Sequence, residues 1–149
     1  IGRGHMKKQL LKEARKLSVS NAVHIQSSMS FSELAQHFRS ADLVVYPSYY
    51  EGQGLIPLES MSSGTPVATV NMAPLTEMVD ESVGGLFEMG NSADLASTVN
   101  QMLSNPNLRA QQGEAGRALV LAKYTYEHNA KDFQAFYESI INQEPTPNR

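Results

Sequence analysis

Two glutamates and two glycines lie close together in the middle of the chain, in a spacing that suits the binding of a phosphorylated sugar. Glu51 is followed by Gly52 and Gly54, and Glu59 comes eight positions after Glu51. A glycine has no Cβ, so the backbone beside it can approach a ligand closely. A carboxylate accepts hydrogen bonds from vicinal hydroxyl groups and can distinguish sugars by their geometry. These residues therefore form a candidate ligand site.

The start of a helix would supply the donors and the positive potential that phosphate groups need. The sequence from Leu55 to Ser62 predicts a helix, in which Pro57 is tolerated because it falls in the first turn. The amides of Gly54, Leu55 and Ile56 would have no partner inside the helix and would point at the phosphates.

A strand must place this loop. The run from Asp42 to Tyr46 is almost entirely apolar and ends at Pro47, which predicts a strand buried on both faces of a parallel sheet. The loop from Ser48 to Gly54 leaves the carboxyl end of that strand and enters the helix. Ligands bind outside the carboxyl ends of the strands in such sheets, so the loop lies where a site is expected.

The rest of the chain predicts alternating strands and helices. Further strands are predicted at 23–25, 67–70 and 85–87, and further helices at 7–17, 31–38, 75–79, 94–103, 108–122 and 126–141. Ser30 and Glu33 have the spacing of a capping box, and Gly64 is a stop signal after the helix at 55–62. This alternation indicates an α/β fold with a parallel sheet flanked by helices. The domain is predicted to cover residues 1–142, and residues 143–149 to form a disordered tail.

Composition excludes several kinds of chemistry. The chain has 149 residues, which suits one domain, and no cysteine, which rules out disulfides, thiolate metal sites and a cysteine nucleophile. Its net charge of −3 argues against a nucleic-acid partner. No apolar run approaches the ~20 residues that span a bilayer, and no signal peptide is visible. We expect a cytoplasmic protein, with peripheral contact between the lysine cluster at 7–16 and anionic lipid as the alternative.

Charged residues are unevenly distributed along the chain. All 12 lysines and arginines lie at or before Arg39 or at or after Arg109, so the candidate site has only acidic residues near it in sequence. A diphosphate bound there would have no cation close in sequence. The four histidines do not have the spacing of metal ligands, and no acidic cluster suits a metal, so no metal site is predicted.

Residues 47–67 carry a resemblance to a known family. Their sequence, PSYYEGQGLIPLESMSSGTPV, resembles the signature of the group 1 (family 4) glycosyltransferases of the GT-B fold, in which two glutamates are separated by seven residues. The resemblance continues at 77–79, 85–87 and 124–126, and so covers nearly the whole chain.

By this resemblance the chain is the Rossmann-like, C-terminal donor-binding domain of such an enzyme, without the first strands of that domain. Glu51 would then contact the sugar hydroxyls near the reacting centre, and Glu59 would accept hydrogen bonds from the ribose. The sugar and the phosphates would be held by five consecutive backbone segments, those of Gly52, Gln53, Gly54, Leu55 and Ile56. The nucleobase would lie near three residues of an earlier loop, Ser27, Ser28 and Met29.

The chain departs from the family pattern at three places. Gln53 stands where the family usually has an aromatic or a small residue, which affects the fit of the sugar. Ser27 replaces a usual glycine beside the base. Met72-Ala73 replaces a usual glycine pair beside the phosphates, so contacts from Pro74 and Leu75 do not carry over from the family.

The resemblance implies a retaining hexosyltransferase. The full-length form would transfer a hexose from a nucleoside diphosphate sugar to a hydroxyl of a glycan, a lipid or a small molecule, with no metal and no cofactor. The resemblance also implies that the Arg and Lys that neutralise the diphosphate belong to a first strand and turn that we expect to be missing from this sequence, together with the acceptor-binding domain. We therefore expect the chain alone to be inactive, and its open strand edge to favour self-association by strand exchange. Residues 1–6 are either native sequence or a cloning scar.

Other functions stay open at this point. A nucleotide-sugar epimerase of the GT-B fold would share the architecture, and a non-catalytic nucleotide-binding or assembly module would share the site without the reaction. Glu59 could also be an acid favoured near a helix N-terminus, and Glu51 a plain loop acid. Tyr46, Tyr49 and Tyr50 are expected to pack in the core, with a ligand contact by one of them as the alternative.

Overall fold

The computed structural model describes residues 1–2 and 4–142, and the predicted tail at 143–149 lies outside the described residues. The chain divides into two compact units, Ile1–Gln36 and His37–Arg149, which are called the N-terminal and the C-terminal unit below. The candidate loop and its two glutamates belong to the C-terminal unit. The three residues expected near the nucleobase belong to the N-terminal unit.

The N-terminal unit is built from helices and turns. Helix α1 spans Lys7–Lys16, a 3₁₀ turn follows at Ser20–Ala22, and helix α2, which begins in this unit, spans Phe31–Ser40. The predicted capping box is confirmed. The Ser30 amide donates to Glu33 Oε2 at 2.7 Å, and the Glu33 amide donates to Ser30 Oγ at 3.3 Å.

The strand predicted at 23–25 is wrong. Val23 has an extended backbone, with φ −109° and ψ 115°, but the three residues belong to no strand. A strand exists through a ladder of hydrogen bonds to a neighbour. Among the described residues the segment is followed by one backbone bond to the chain near Gly2, from the Gly2 amide to the Gln26 carbonyl at 2.8 Å, and one bond does not make a ladder.

The C-terminal unit contains a three-stranded parallel sheet covered by helices. The strands pair in chain order and are β1 (Val44–Tyr46), β2 (Val67–Val70) and β3 (Gly84–Phe87). The helices are α3 (Leu55–Ser62), α4 (Ser92–Leu103), α5 (Pro106–Lys123) and α6 (Tyr126–Ile141). The α/β class is confirmed, whereas the helix predicted at 75–79 forms only a 3₁₀ turn at Leu75–Glu77.

Strand β2 is the centre of the C-terminal unit, and all four of its residues are buried. Its side chains point alternately to the two faces of the sheet. On one face Val67 packs with Met61 of α3 and Val120 of α5, and on the other Ala68 packs with Met102 of α4. The sheet is therefore the middle of three layers, and each large apolar side chain buried in it contributes roughly 1.5–3 kcal/mol.

Strand β1 is less buried than its sequence predicts. Val45 is 39% exposed, and Val44 and Tyr46 are half-buried. The exposure of Val45 shows that the predicted burial on both faces is wrong. Among the described residues β1 has one neighbour, β2, and so forms an edge of the sheet. An open strand edge can pair with another chain. Self-association through this edge stays a prediction.

Glycines allow α5 to approach the end of α3 closely. Gly64 follows α3 in a left-handed conformation (φ +79°), and its amide donates to the Met61 carbonyl at 2.9 Å. A Cβ on Gly113 of α5 would lie 2.2 Å from the Gly64 carbonyl oxygen. A Cβ on Gly116, one turn further along, would lie 3.0 Å from Met61 Cγ. The first contact is with backbone and the second with a flexible side chain.

We expect Gly113→Ala to destabilise the protein much more than Gly116→Ala. The methyl group at position 113 meets backbone that cannot move aside, and overpacking of this kind costs about 1–3 kcal/mol. At position 116 the methyl group meets the Met61 side chain, and the higher helix propensity of alanine, worth about 1 kcal/mol, offsets the contact. Urea unfolding followed by circular dichroism measures both free energies. An equal loss of stability in the two variants would contradict the close contact between Gly113 and the backbone of Gly64.

Candidate functional site

The carboxyl ends of the three strands border one cleft, with a volume of about 120 Å³. Its lining includes the last residues of β2 and β3, Val70 and Phe87, and Pro47 directly after β1. Tyr49 of the loop and Ser92 at the start of α4 also line it. The loop that carries Glu51 therefore lies at the carboxyl edge of the sheet, where ligands bind in open parallel sheets.

Three hydrogen bonds hold the Glu51 carboxylate. The Tyr46 hydroxyl donates to Oε2, and the amides of Gly52 and Gln53 donate to Oε1 at 3.0 and 3.4 Å. The Tyr46 hydroxyl, followed by the loop amides, holds the pKa of Glu51 below its ordinary value, because each of these bonds favours the charged form. Glu51 is therefore a fixed, ionised carboxylate at neutral pH.

These bonds decide which amides can serve a phosphate. The amides of Gly52 and Gln53 already donate to Glu51. The amides of Leu55 and Ile56 are the first of α3, where no intrahelical acceptor exists, and Gly54 provides no side-chain cap. The amides of Leu55 and Ile56 can therefore donate to a bound anion, whereas those of Gly52 and Gln53 are already occupied.

The two glycines of the loop have different roles. Gly54 is buried and left-handed (φ +93°), and a Cβ there would lie 2.7 Å from Leu75 Cδ2. Leu75 itself is fully buried, so it supports the loop from the core. A Cβ on Gly52 would have no neighbour within 4 Å. The fold thus requires a glycine at position 54, whereas at position 52 it does not.

We expect Gly54→Ala to destabilise the protein and Gly52→Ala to leave its stability unchanged. Alanine at position 54 combines a strained left-handed backbone, which costs about 1–2 kcal/mol, with the clash against Leu75. Thermal unfolding of the two variants measures this difference. A loss of stability at position 52 equal to that at position 54 would show that the loop is packed differently.

Glu59 has a buried oxygen without a partner. It is the fifth residue of α3, and its Oε2 atom makes no hydrogen bond to any described residue. A buried carboxylate oxygen costs free energy until a donor reaches it. Glu59 Oε2 is therefore an acceptor with no donor among the described residues, and its expected contact with ligand hydroxyl groups stays a prediction.

We expect Glu59→Met to raise the thermal stability of the ligand-free protein. Methionine keeps the length and the helix propensity of the side chain and removes the unpaired oxygen, whose burial costs about 1–3 kcal/mol. The melting temperature should rise by roughly 2–8 °C. Glu51→Met is the matched control, because it breaks three existing bonds and should lower the melting temperature. A rise in both variants would contradict the difference between the two glutamates.

Two arginine side chains of the C-terminal unit have their partners away from the edge of the sheet where the strands end. Arg109 lies 3.3 Å from Asp42, which precedes β1, and Arg117 donates to the Ser62 carbonyl at the far end of α3. Neither side chain is thus placed to neutralise an anion at the start of α3. This agrees with the cation-free stretch of sequence around the site.

The N-terminal unit holds the residues expected near the nucleobase. Ser27 and Ser28 are exposed and Met29 is half-buried, in the segment between the 3₁₀ turn and α2. Their role stays a prediction.

Over the described parts of the chain, no three His, Cys, Asp or Glu side chains are grouped to hold a metal ion. None of the described helices has the length and apolar character needed to cross a bilayer.

The three tyrosines near the loop differ from one another. Tyr49 and Tyr50 are 70% and 89% exposed, so their expected packing in the core is wrong, because they lie beyond the strand where no layer covers them. Tyr46 packs against both core clusters, and its hydroxyl also reaches Glu51. Sequence reasoning missed this second contact. The available signal was a hydroxyl-bearing residue at the end of the strand, five positions before Glu51.

Fold and site together describe an α/β domain with a ligand loop at the carboxyl edge of its parallel sheet. The family model described as "Glycosyl transferases group 1" matches residues 1–119. The chain therefore belongs to the group 1 glycosyltransferases, and the resemblance drawn from residues 47–67 is confirmed.

Individual relatives agree with this assignment. The chain is 32% identical over 131 residues to a D-inositol 3-phosphate glycosyltransferase of Stackebrandtia nassauensis, which covers 87% of this chain and 29% of that protein. The C-terminal domain of the group 1 protein LpcC from Francisella tularensis is 28% identical, with a TM-score of 0.74, over 81% of this chain and 63% of that one. S. aureus TarM, in complex with fondaparinux, α-GlcNAc-glycerol and UDP, is 27% identical, with a TM-score of 0.77, over 89% of this chain and 27% of that one. The chain thus spans less than a third of the first and the last of these relatives.

Proposed function

We propose that this chain forms the donor-binding part of a retaining glycosyltransferase, which moves a hexose from a nucleoside diphosphate sugar to an acceptor hydroxyl. One observation carries the proposal. The first amides of α3 have no acceptor inside the helix, and in the chain they lie between a carboxylate held by hydrogen bonds, Glu51, and a buried oxygen with no partner among the described residues, on Glu59. Such a site combines donors for an anion with carboxylate acceptors for hydroxyl groups.

Each part of the site has a task in this reaction. As the bond to the sugar breaks, the diphosphate gains negative charge and the sugar gains oxocarbenium character. The amides of Leu55 and Ile56 and the helix dipole stabilise the departing diphosphate. Glu51 accepts a hydrogen bond from the sugar, and Glu59 accepts one from the ribose. The two glutamates thus orient the donor on either side of the phosphates.

The remaining components of the reaction are part of the same proposal. Complete neutralisation of a diphosphate needs cations, which the described loop does not supply, so we infer that they come from elsewhere in the intact protein. The acceptor, a glycan, a lipid or a small molecule, would be bound there as well. The UDP in the TarM complex makes a uridine diphosphate sugar the first donor to test. We place the protein in the cytoplasm, a reducing compartment with which a chain without cysteine is compatible.

Replacing Glu59 and replacing Glu51 should change the affinity for the donor in different ways. In the intact protein Glu59→Ala should weaken the binding of UDP and of UDP-glucose alike, by roughly 10- to 100-fold, because a hydrogen bond to a charged group is lost. Glu51→Ala should weaken the binding of UDP-glucose without weakening that of UDP, because this carboxylate contacts the sugar. Calorimetry measures both affinities, and GDP and ADP sugars extend the set of donors.

Glu114→Ala, an exposed acid of α5, is the control for loss of a charge. Equal losses of UDP affinity in both glutamate variants would contradict the assigned roles. If wild-type protein bound none of the sugar nucleotides, the donor site itself would be refuted. Epimerisation of the donor without an acceptor would identify a nucleotide-sugar epimerase instead, and binding without any turnover would identify a non-catalytic module.

A further inference from the structure

The end of β1 carries a side chain that the proposed function does not yet use. Tyr46 is the last residue of β1, and its ring packs with both hydrophobic clusters. Its carbonyl oxygen accepts a hydrogen bond from Thr69 Oγ1 at 3.1 Å, and Thr69 lies opposite it in the parallel pairing with β2. The ring and the backbone of Tyr46 are thus both anchored. Its hydroxyl is therefore held at one place relative to the sheet.

That hydroxyl bonds the oxygen of Glu51 that the loop amides leave open. Tyr46 donates to Oε2, whereas the amides of Gly52 and Gln53 donate to Oε1. A carboxylate bonded at one oxygen can still turn about that contact, and a bond to the second oxygen stops it. With both oxygens engaged, the acceptor positions that Glu51 has left point in a narrow range of directions.

We propose that Tyr46 is a positioning residue, which holds the Glu51 carboxylate in the orientation that accepts a hydrogen bond from a hydroxyl of the donor sugar. The proposal rests on the proposed function, because it concerns the same site. Tyr46 acts through Glu51 and not on the ligand itself. Its loss therefore affects the recognition of the sugar and not that of the nucleoside diphosphate.

The ionisation of the two groups agrees with this geometry. The Tyr46 hydroxyl is the largest of the causes that hold the pKa of Glu51 below 4.5, and the Glu51 carboxylate raises the pKa of Tyr46 above 10.0. The other causes at Glu51 are desolvation, which opposes the shift, and the loop amides. A folded carboxyl with a lowered pKa stabilises the protein above the unfolded pKa, and this stabilisation is lost as the pH falls through the folded pKa.

The hydroxyl can be removed while the packed ring stays. Tyr46→Phe makes this change, and Tyr50→Phe, the control, makes the same change on an exposed tyrosine of the loop that carries Glu51. Intact protein labelled with ¹³C at its glutamate carboxyl groups reports the pKa of Glu51, and Glu51→Gln assigns the signal. We expect the pKa of Glu51 to rise in Tyr46→Phe towards its ordinary value and to stay unchanged in Tyr50→Phe.

Calorimetry with the same variants separates the sugar from the nucleotide. The probes are UDP-glucose and GDP-mannose, each compared with UDP or GDP. We expect Tyr46→Phe to lower the affinity for whichever sugar nucleotide binds wild-type protein by roughly five- to tenfold, because the hydrogen bond that orients the Glu51 carboxylate is lost. The affinity for the corresponding nucleoside diphosphate should not change. A residue that only packs in the core would not produce this difference.

An unshifted pKa of Glu51 in Tyr46→Phe would overturn this proposal and leave the proposed function intact. A shifted pKa with unchanged sugar affinity would also overturn it, because the bond would then serve the fold alone. If wild-type protein bound none of the four probes, both proposals would fall together. Should Tyr46→Phe not fold, Tyr46→Leu replaces it, because leucine also fills apolar space at the end of β1, has no hydroxyl, and leaves Glu51 unchanged.

Discussion

The pairing of β1 with β2 determines where the functional groups of the C-terminal unit lie. β2 is buried throughout, and β1 is joined to it in parallel as far as Tyr46, opposite Thr69. Parallel strands end at a common edge, so the loop after β1 opens there, and α3 must start at that edge before it runs back over the sheet. The position of the first α3 amides, which have no acceptor inside the helix, follows from this one constraint, as does that of the loop that carries Glu51.

The two glutamates of the candidate site differ in whether their carboxylate oxygens have hydrogen-bond partners. The Glu51 carboxylate has its bonds already, from a core-anchored hydroxyl and from its own loop, so its position does not depend on a ligand. Glu59 has a buried oxygen with no bond among the described residues. The first arrangement fixes the direction in which the carboxylate can accept a further hydrogen bond. The second makes the free protein less stable than it could be, and a bound ligand would relieve that cost.

Features that depend on neighbouring residues in the chain, such as the ends of helix α3, were predicted correctly from the sequence. Helix α3 has its predicted bounds because Gly54 and Gly64 adopt left-handed conformations at its two ends and Pro57 fits its first turn. The strand expected at 23–25 and the full burial of β1 failed because each requires neighbouring strands, which one segment of sequence does not specify. The spacing of the glutamates predicted the candidate site. Which amides stay free depends on a bond between the loop and Tyr46 that no spacing rule describes.

The contact between Gly54 and Leu75 joins two loops that are remote in sequence. Leu75 follows β2, yet it limits the room available to the loop after β1. Neither loop is therefore an independent module in the exchange of segments between family members. A chimaera that imported only residues 48–54 would place a foreign turn against a native leucine selected for another backbone. The smallest unit that can be transplanted intact consists of both loops, together with the ends of the strands that carry them.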